Sequence, residues 1–160
     1  GSVCDTIEVG LADPAFPHSI LYSAKGTMNI NGIGNFVFTG AGLNEYYYIV
    51  VKHRNALEIW SSDSVSFYLQ NISYDFTNAS GKAFGSNQLS VGGGKYAMHS
   101  GDVNQDGVVN MADVALTESS MQSFLTGYYP ADLTGDNIVE AADYSILENK
   151  ATGGIVVIKP

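Results

Sequence analysis

The sequence predicts a mainly β protein with an α-helical tail, on three observations. The first hundred residues break into short alternating or β-branched runs separated by turn signals. The charge then shifts: residues 1–100 hold seven acids and five bases, whereas residues 101–160 hold nine acids and two bases, a net of −7. Two acidic stretches thirty residues apart are each followed by a helical pattern. The expected architecture is an N-terminal antiparallel β-sandwich over residues 1–99 and a C-terminal pair of loop–helix repeats over 100–160.

In the first part, TIEVGL alternates with Ile7, Val9 and Leu11 on one face. SILYSA follows the turn DPAFPH. GTMNI and GNFVFTG are separated by NGIG, whose Asn-Gly pair signals a turn. EYYYIVVKH and ALEIWSS flank Arg54-Asn55 as a hairpin. VSFYLQ and KYAMHS complete about eight expected strands.

In the second part, Val114, Leu116, Met121, Phe124 and Leu125 form the expected apolar face of one helix. Tyr144, Ile146 and Leu147 form that of the other. The tail GGIVVIKP reads as a short strand that packs back.

Composition narrows the function. A net charge of −9 argues against nucleic-acid partners and anionic membrane surfaces. No apolar run is long enough for a transmembrane segment. A single cysteine, Cys4, excludes an internal disulfide. The leading Gly-Ser reads as a cloning scar, and the chain as a fragment of a longer protein, expected to be monomeric.

The acidic stretches carry the chemistry. A hard divalent cation takes six to eight oxygens, which a twelve-residue loop supplies from positions 1, 3, 5, 7, 9 and 12, with a sharp turn at 6. In GDVNQDGVVNMAD, Asp102, Asn104 and Asp106 take positions 1, 3 and 5, and Gly107 takes the turn. Val108 offers its carbonyl at 7, Asn110 falls at 9 and Asp113 closes the loop at 12. In ADLTGDNIVEAAD the same places fall to Asp132, Thr134, Asp136, Ile138, Glu140 and Asp143. Asn137 replaces the glycine there, and Asn tolerates the left-handed conformation well. Val109 and Val139, at position 8, are expected to join the loops through a short β-bridge. The expected cofactor is therefore two Ca2+ ions.

GDVNQDGVVNMADV and ADLTGDNIVEAADY resemble the paired calcium repeats of dockerin domains, in which Asp ends each EF-hand-like loop and only the exiting helix is kept. The resemblance covers about residues 100–150. It implies a secreted or cell-surface bacterial protein, often one associated with polysaccharide breakdown, and a cohesin-like partner. The cohesin-reading places depart from the family pattern: Met111-Ala112 and Ser119-Ser120 in one repeat, Ala141-Ala142 and Asn149-Lys150 in the other. The first hundred residues are similar to the prealbumin-like or Ig-like sandwich modules that precede such tails.

No HExxH, GxSxG or P-loop pattern occurs, and a non-catalytic protein is expected. Lys52-His53-Arg54 is the one cationic cluster, read chiefly as a hairpin end. Tyr46, Tyr47, Tyr48 and Trp60 would serve a glycan-binding sandwich if they stood in an exposed row; Glu58 and Asp63 can be imagined as a glycosidase pair, but the sandwich is small and no cleft is implied. The leading expectation is a calcium-stabilised dockerin-like module packed on a β-sandwich. Partner-protein assembly and carbohydrate binding are the alternatives.

Overall fold

The computed structural model describes residues 3–160; the Gly-Ser pair read as a scar lies outside the described residues. The chain divides into two units. The first comprises Gly1–His53, Ile59–Ala97 and Ile158–Pro160; the second comprises Arg54–Glu58 and Met98–Val157.

Unit 1 is built on β1 (Val3–Ala12), β2 (Ile20–Asn29), β3 (Tyr46–His53), β4 (Ala56–Trp60) and β5 (Val65–Ser66). The division between the units falls inside β4. The strands form one sheet in the order β2-β1-β3-β4, with β5 also on β3. β1 pairs antiparallel with both neighbours, placing Leu11 opposite Tyr22 on one side and opposite Ile49 on the other. The alternation read from the sequence holds: Ile7, Val9 and Leu11 are buried together with Tyr47 and Ile49. Burying each such side chain contributes about 1.5–3 kcal/mol. Cys4 is a free, exposed thiol.

The sequence predicts a second large sheet over this core. Among the described residues the further β structure in the unit is the hairpin of β6 (Leu89–Gly92) and β7 (Lys95–Ala97) and a single bridge from Ser61 to Ala83. Irregular chain covers the core face, through Phe36, Phe38, Phe67, Ile72, Tyr74 and Phe76. GNFVFTG, expected as a strand, belongs to that cover. A Cβ on Gly34 would stand 2.7 Å from the Phe36 ring, and one on Gly26 2.9 Å from it. Phe36 thus occupies a slot that only two glycines leave open. SILYSA and GTMNI, expected as separate strands, run together as β2 across Gly26.

Unit 2 contains β8 (Val108–Val109), α1 (Met111–Gln122), α2 (Ala141–Ala151) and β9 (Ile155–Val156). Its core is Leu57, Val109, Val114, Leu147 and Ala151, flanked by Val103, Leu133, Tyr144 and Ile155. Residues 54–58 join this unit by backbone pairing. Leu57 N–H donates to the His99 carbonyl at 2.9 Å, and Gly101 N–H donates to the Asn55 carbonyl at 2.7 Å. The tail returns as expected, with β9 antiparallel to β8.

Two expectations for this unit are corrected. Leu116 is 45% and Phe124 87% exposed, so neither belongs to the buried face of α1. The inner face follows i, i+3 from Val114 to Thr117, whereas Leu116 lies about 200° round the helix from Val114. Phe124 lies two residues past the end of α1, with φ of 52°, so the helical path ends before it. Val109 and Val139 do not join the loops: Val109 pairs with Ile155, and Val139 N–H donates to the Leu125 carbonyl. Both valine side chains are buried all the same.

Candidate metal centre

Each acidic stretch folds as a loop tied by its own side chains. Asn104, Asp106 and Asp136 accept backbone N–H groups two residues on, and Asp102 and Asp132 accept from five residues on, which curls the chain. Asp106 Oδ1 accepts from Val108 N–H at 2.9 Å, and Asp136 Oδ1 accepts from Ile138 N–H at 2.9 Å. Asp102 Oδ2 accepts from Gly107 N–H at 3.2 Å, and Asp132 Oδ2 accepts from Asn137 N–H at 3.1 Å. Positive φ recurs at the same two places: Gln105 and Gly107 in the first loop, Gly135 and Asn137 in the second.

The closing aspartates repeat most closely. Asp113 Oδ1 accepts from Val103 and Asn104 N–H at 2.8 and 3.1 Å, and its Oδ2 accepts from Asn110 N–H at 2.9 Å. Asp143 Oδ1 accepts from Leu133 and Thr134 N–H at 2.8 Å each, and its Oδ2 accepts from Glu140 N–H at 2.9 Å. Both side chains are fully buried. Each one closes its loop and, three residues into its helix, caps that helix. Asn110 Oδ1 completes the first cap by accepting from Ala112 N–H at 2.7 Å.

Asp102 is different. It is 3% exposed, and its Oδ1 is buried with no hydrogen-bond partner. Burial raises its carboxyl above the usual range, and the charges of Asp113 and Asp106 raise it further against the opposing Gly107 amide. An orphaned carboxylate oxygen in the interior is costly unless a donor or a cation meets it. The donor set around it is all oxygen and fits a hard cation.

Among the described residues, no group of three or more His, Cys, Asp or Glu side chains stands ready to hold a metal ion by itself. The twelve-residue template relies on other oxygens as well: in the first loop Asn104, the Val108 carbonyl and Asn110 make up half of the set.

Residues 100–152 match the family model of the dockerin type I domain. Dockerin domains bind calcium and act as non-catalytic protein-assembly modules. The dockerin segment falls inside unit 2 and contains both loops and both helices. No curated protein and no solved structure matches the chain.

The other candidates are engaged elsewhere. Trp60 is 3% and Tyr47 5% exposed, so the stacking row imagined for a glycan is not presented. The Lys159 ammonium lies over Trp60, 5.6 Å from the ring centre. In the cationic cluster, His53 Nε2 meets Asp5 Oδ2 at 2.8 Å. Arg54 and Asn55 turn to the second loop, a role sequence reasoning missed. Arg54 donates to the backbone carbonyls of Tyr129 and Asp132, and Asn55 Nδ2 donates to the Asp132 carbonyl at 2.9 Å. No spacing rule reports such contacts, because Arg54 and Asp132 meet only through the fold. No helix of the described residues is long and apolar enough to cross a membrane.

Proposed function

We propose that unit 2 is a non-catalytic module of a secreted or cell-surface bacterial protein, stabilised by two bound calcium ions. The observation that carries this reading is the buried, unpartnered Oδ1 of Asp102, set in a loop whose hydrogen bonds recur in the second loop. Asp102, Asn104, Asp106, the Val108 carbonyl, Asn110 and Asp113 would hold one ion. Asp132, Thr134, Asp136, the Ile138 carbonyl, Glu140 and Asp143 would hold a second. When bound, calcium supplies positive charge to a segment with a net of −7 and adds its binding free energy to folding. Extracellular calcium at millimolar level suits sites of modest affinity.

Calorimetric titration of Ca2+ into chelator-stripped protein tests this reading. The expected result is two bound ions per chain, with a higher melting temperature and stronger helical circular dichroism. No uptake at millimolar calcium overturns it.

A second reading, assembly on a partner protein, is favoured by the exposed apolar residues Met111, Leu116 and Phe124 on and just after α1. It predicts that L116D abolishes partner capture while leaving calcium uptake intact.

A further inference from the structure

Arg54 stands outside the segment matched to the dockerin family, yet its guanidinium is built into the second loop. Its Nη2 lies 3.8 Å from Asp132 Oδ2, with the two side chains 13% and 1% exposed. It donates to the Asp132 carbonyl at 3.1 Å and to the Tyr129 carbonyl, and its planar group lies 4.2 Å from the centre of the Tyr128 ring. Asn55, 5% exposed, fixes the same Asp132 carbonyl. The rest of the Asp132 carboxylate is also occupied: Oδ1 accepts from Gly135 N–H at 2.7 Å and from Thr134 Oγ1 at 3.3 Å, and Oδ2 from Asn137 N–H. Its counterpart Asp102 keeps an orphaned oxygen.

We propose that Arg54 is an internal cation of the second loop, which makes that loop the weaker calcium site and lets it keep its shape without metal. The proposal rests on the calcium reading above. Two like charges brought to one buried carboxylate repel, and salt screens that repulsion poorly in the interior. The guanidinium also ties Asp132 to two carbonyls and an aromatic face, a fixed fork that a solvated lysine does not reproduce. Carboxylate count gives the opposite ranking. The second loop has four acids at ligand positions (Asp132, Asp136, Glu140, Asp143) and the first has three (Asp102, Asp106, Asp113). More ligand charge ordinarily means tighter calcium.

The test is calcium calorimetry on the chelator-stripped full chain, with melting in chelator as a second readout. D132N isolates the first loop and D102N isolates the second, both with Arg54 in place. The second loop alone is expected to bind more weakly than the first alone. R54Q is expected to tighten the weaker step about fivefold and to lower the melting temperature in chelator. The proposal is overturned if the second loop alone binds as tightly as the first, or if R54Q leaves the weaker step unchanged or weakens it. The paired D102N and D132N measurements decide even where R54Q does not fold. A wild-type chain that takes up no calcium refutes the metal reading itself, and this proposal with it.

Discussion

The two loops of unit 2 share a backbone course but surround their first aspartate differently. Positions 4 and 6 take positive φ in both, and the closing aspartate accepts the same three N–H groups in both. At position 1, Asp102 leaves an oxygen buried and unpartnered, while Asp132 is hydrogen-bonded at both oxygens and lies beside Arg54. Loop shape is therefore set mainly by the closing carboxylate and the turn residues. The loops part at the first position, where only Asp102 has an oxygen left without a hydrogen-bond partner.

The largest expected effect tests the shared half of that comparison. D113A and D143A each leave three N–H donors without their carboxylate acceptor, and each should cost at least about 3 kcal/mol. N110A loses a cap, worth about 1 kcal/mol, and the proposed position-9 oxygen, and should cost less than either aspartate variant. Urea unfolding followed by circular dichroism in calcium measures all three. If the loops share one scaffold, the two aspartate variants fall within error of each other; a large gap breaks the equivalence.

L57A follows. Leu57 is fully buried against residues of both repeats, and the cavity should cost about 2–4 kcal/mol. Because Leu57 belongs to neither loop, both calcium steps should weaken together by calorimetry. Weakening of one step alone would show that the loops do not share this core.

T117V sharpens the contrast between the helices. Thr117 is fully buried with no partner for its hydroxyl, at the place where the second repeat has Leu147. Removing the hydroxyl should stabilise the unit by about 1 kcal/mol, read as a higher denaturation midpoint at unchanged slope.

The smallest effect is on pH. Burial, and then the Lys150 charge, lower the pKa of His99 below its ordinary 6.5. The unfolded chain then binds the proton more readily, so stability falls as pH drops from 6.5 through the lowered value and is unaffected by this group above 6.5. The stability difference between wild type and H99Q should open only below pH 6.5; a difference flat from pH 5 to 8 contradicts the assignment.

The twin loops were legible because Asp, Asn and Gly recur at fixed spacing, with a left-handed turn at position 6 that Gly107 and Asn137 meet easily. β1 was legible because alternation reports a half-buried strand. GNFVFTG was misread since its alternation serves a ring packed on two glycines, a contact the local pattern does not encode. Leu116 was misread because apolar residues on a short helix do not reveal which of them face inward, and Phe124 because the helix ends before reaching it. Arg54 and Asn55 escaped because a hairpin turn carries no mark of what it will meet.

Unit 2 is discontinuous: Arg54–Glu58 is separated from Met98–Val157 by a long stretch of unit 1. A piece cut at the family boundary of residues 100–152 would leave out Leu57 and Asn55, both buried. It would expose the hollow that Leu57 fills. The order of synthesis acquires a meaning as well. The residues that complete the acidic module emerge from the ribosome long before the loops they support, so the module reaches its final form only after a late chain closure. Grafted into another protein, it would need its early segment supplied in trans or stitched on by a new linker.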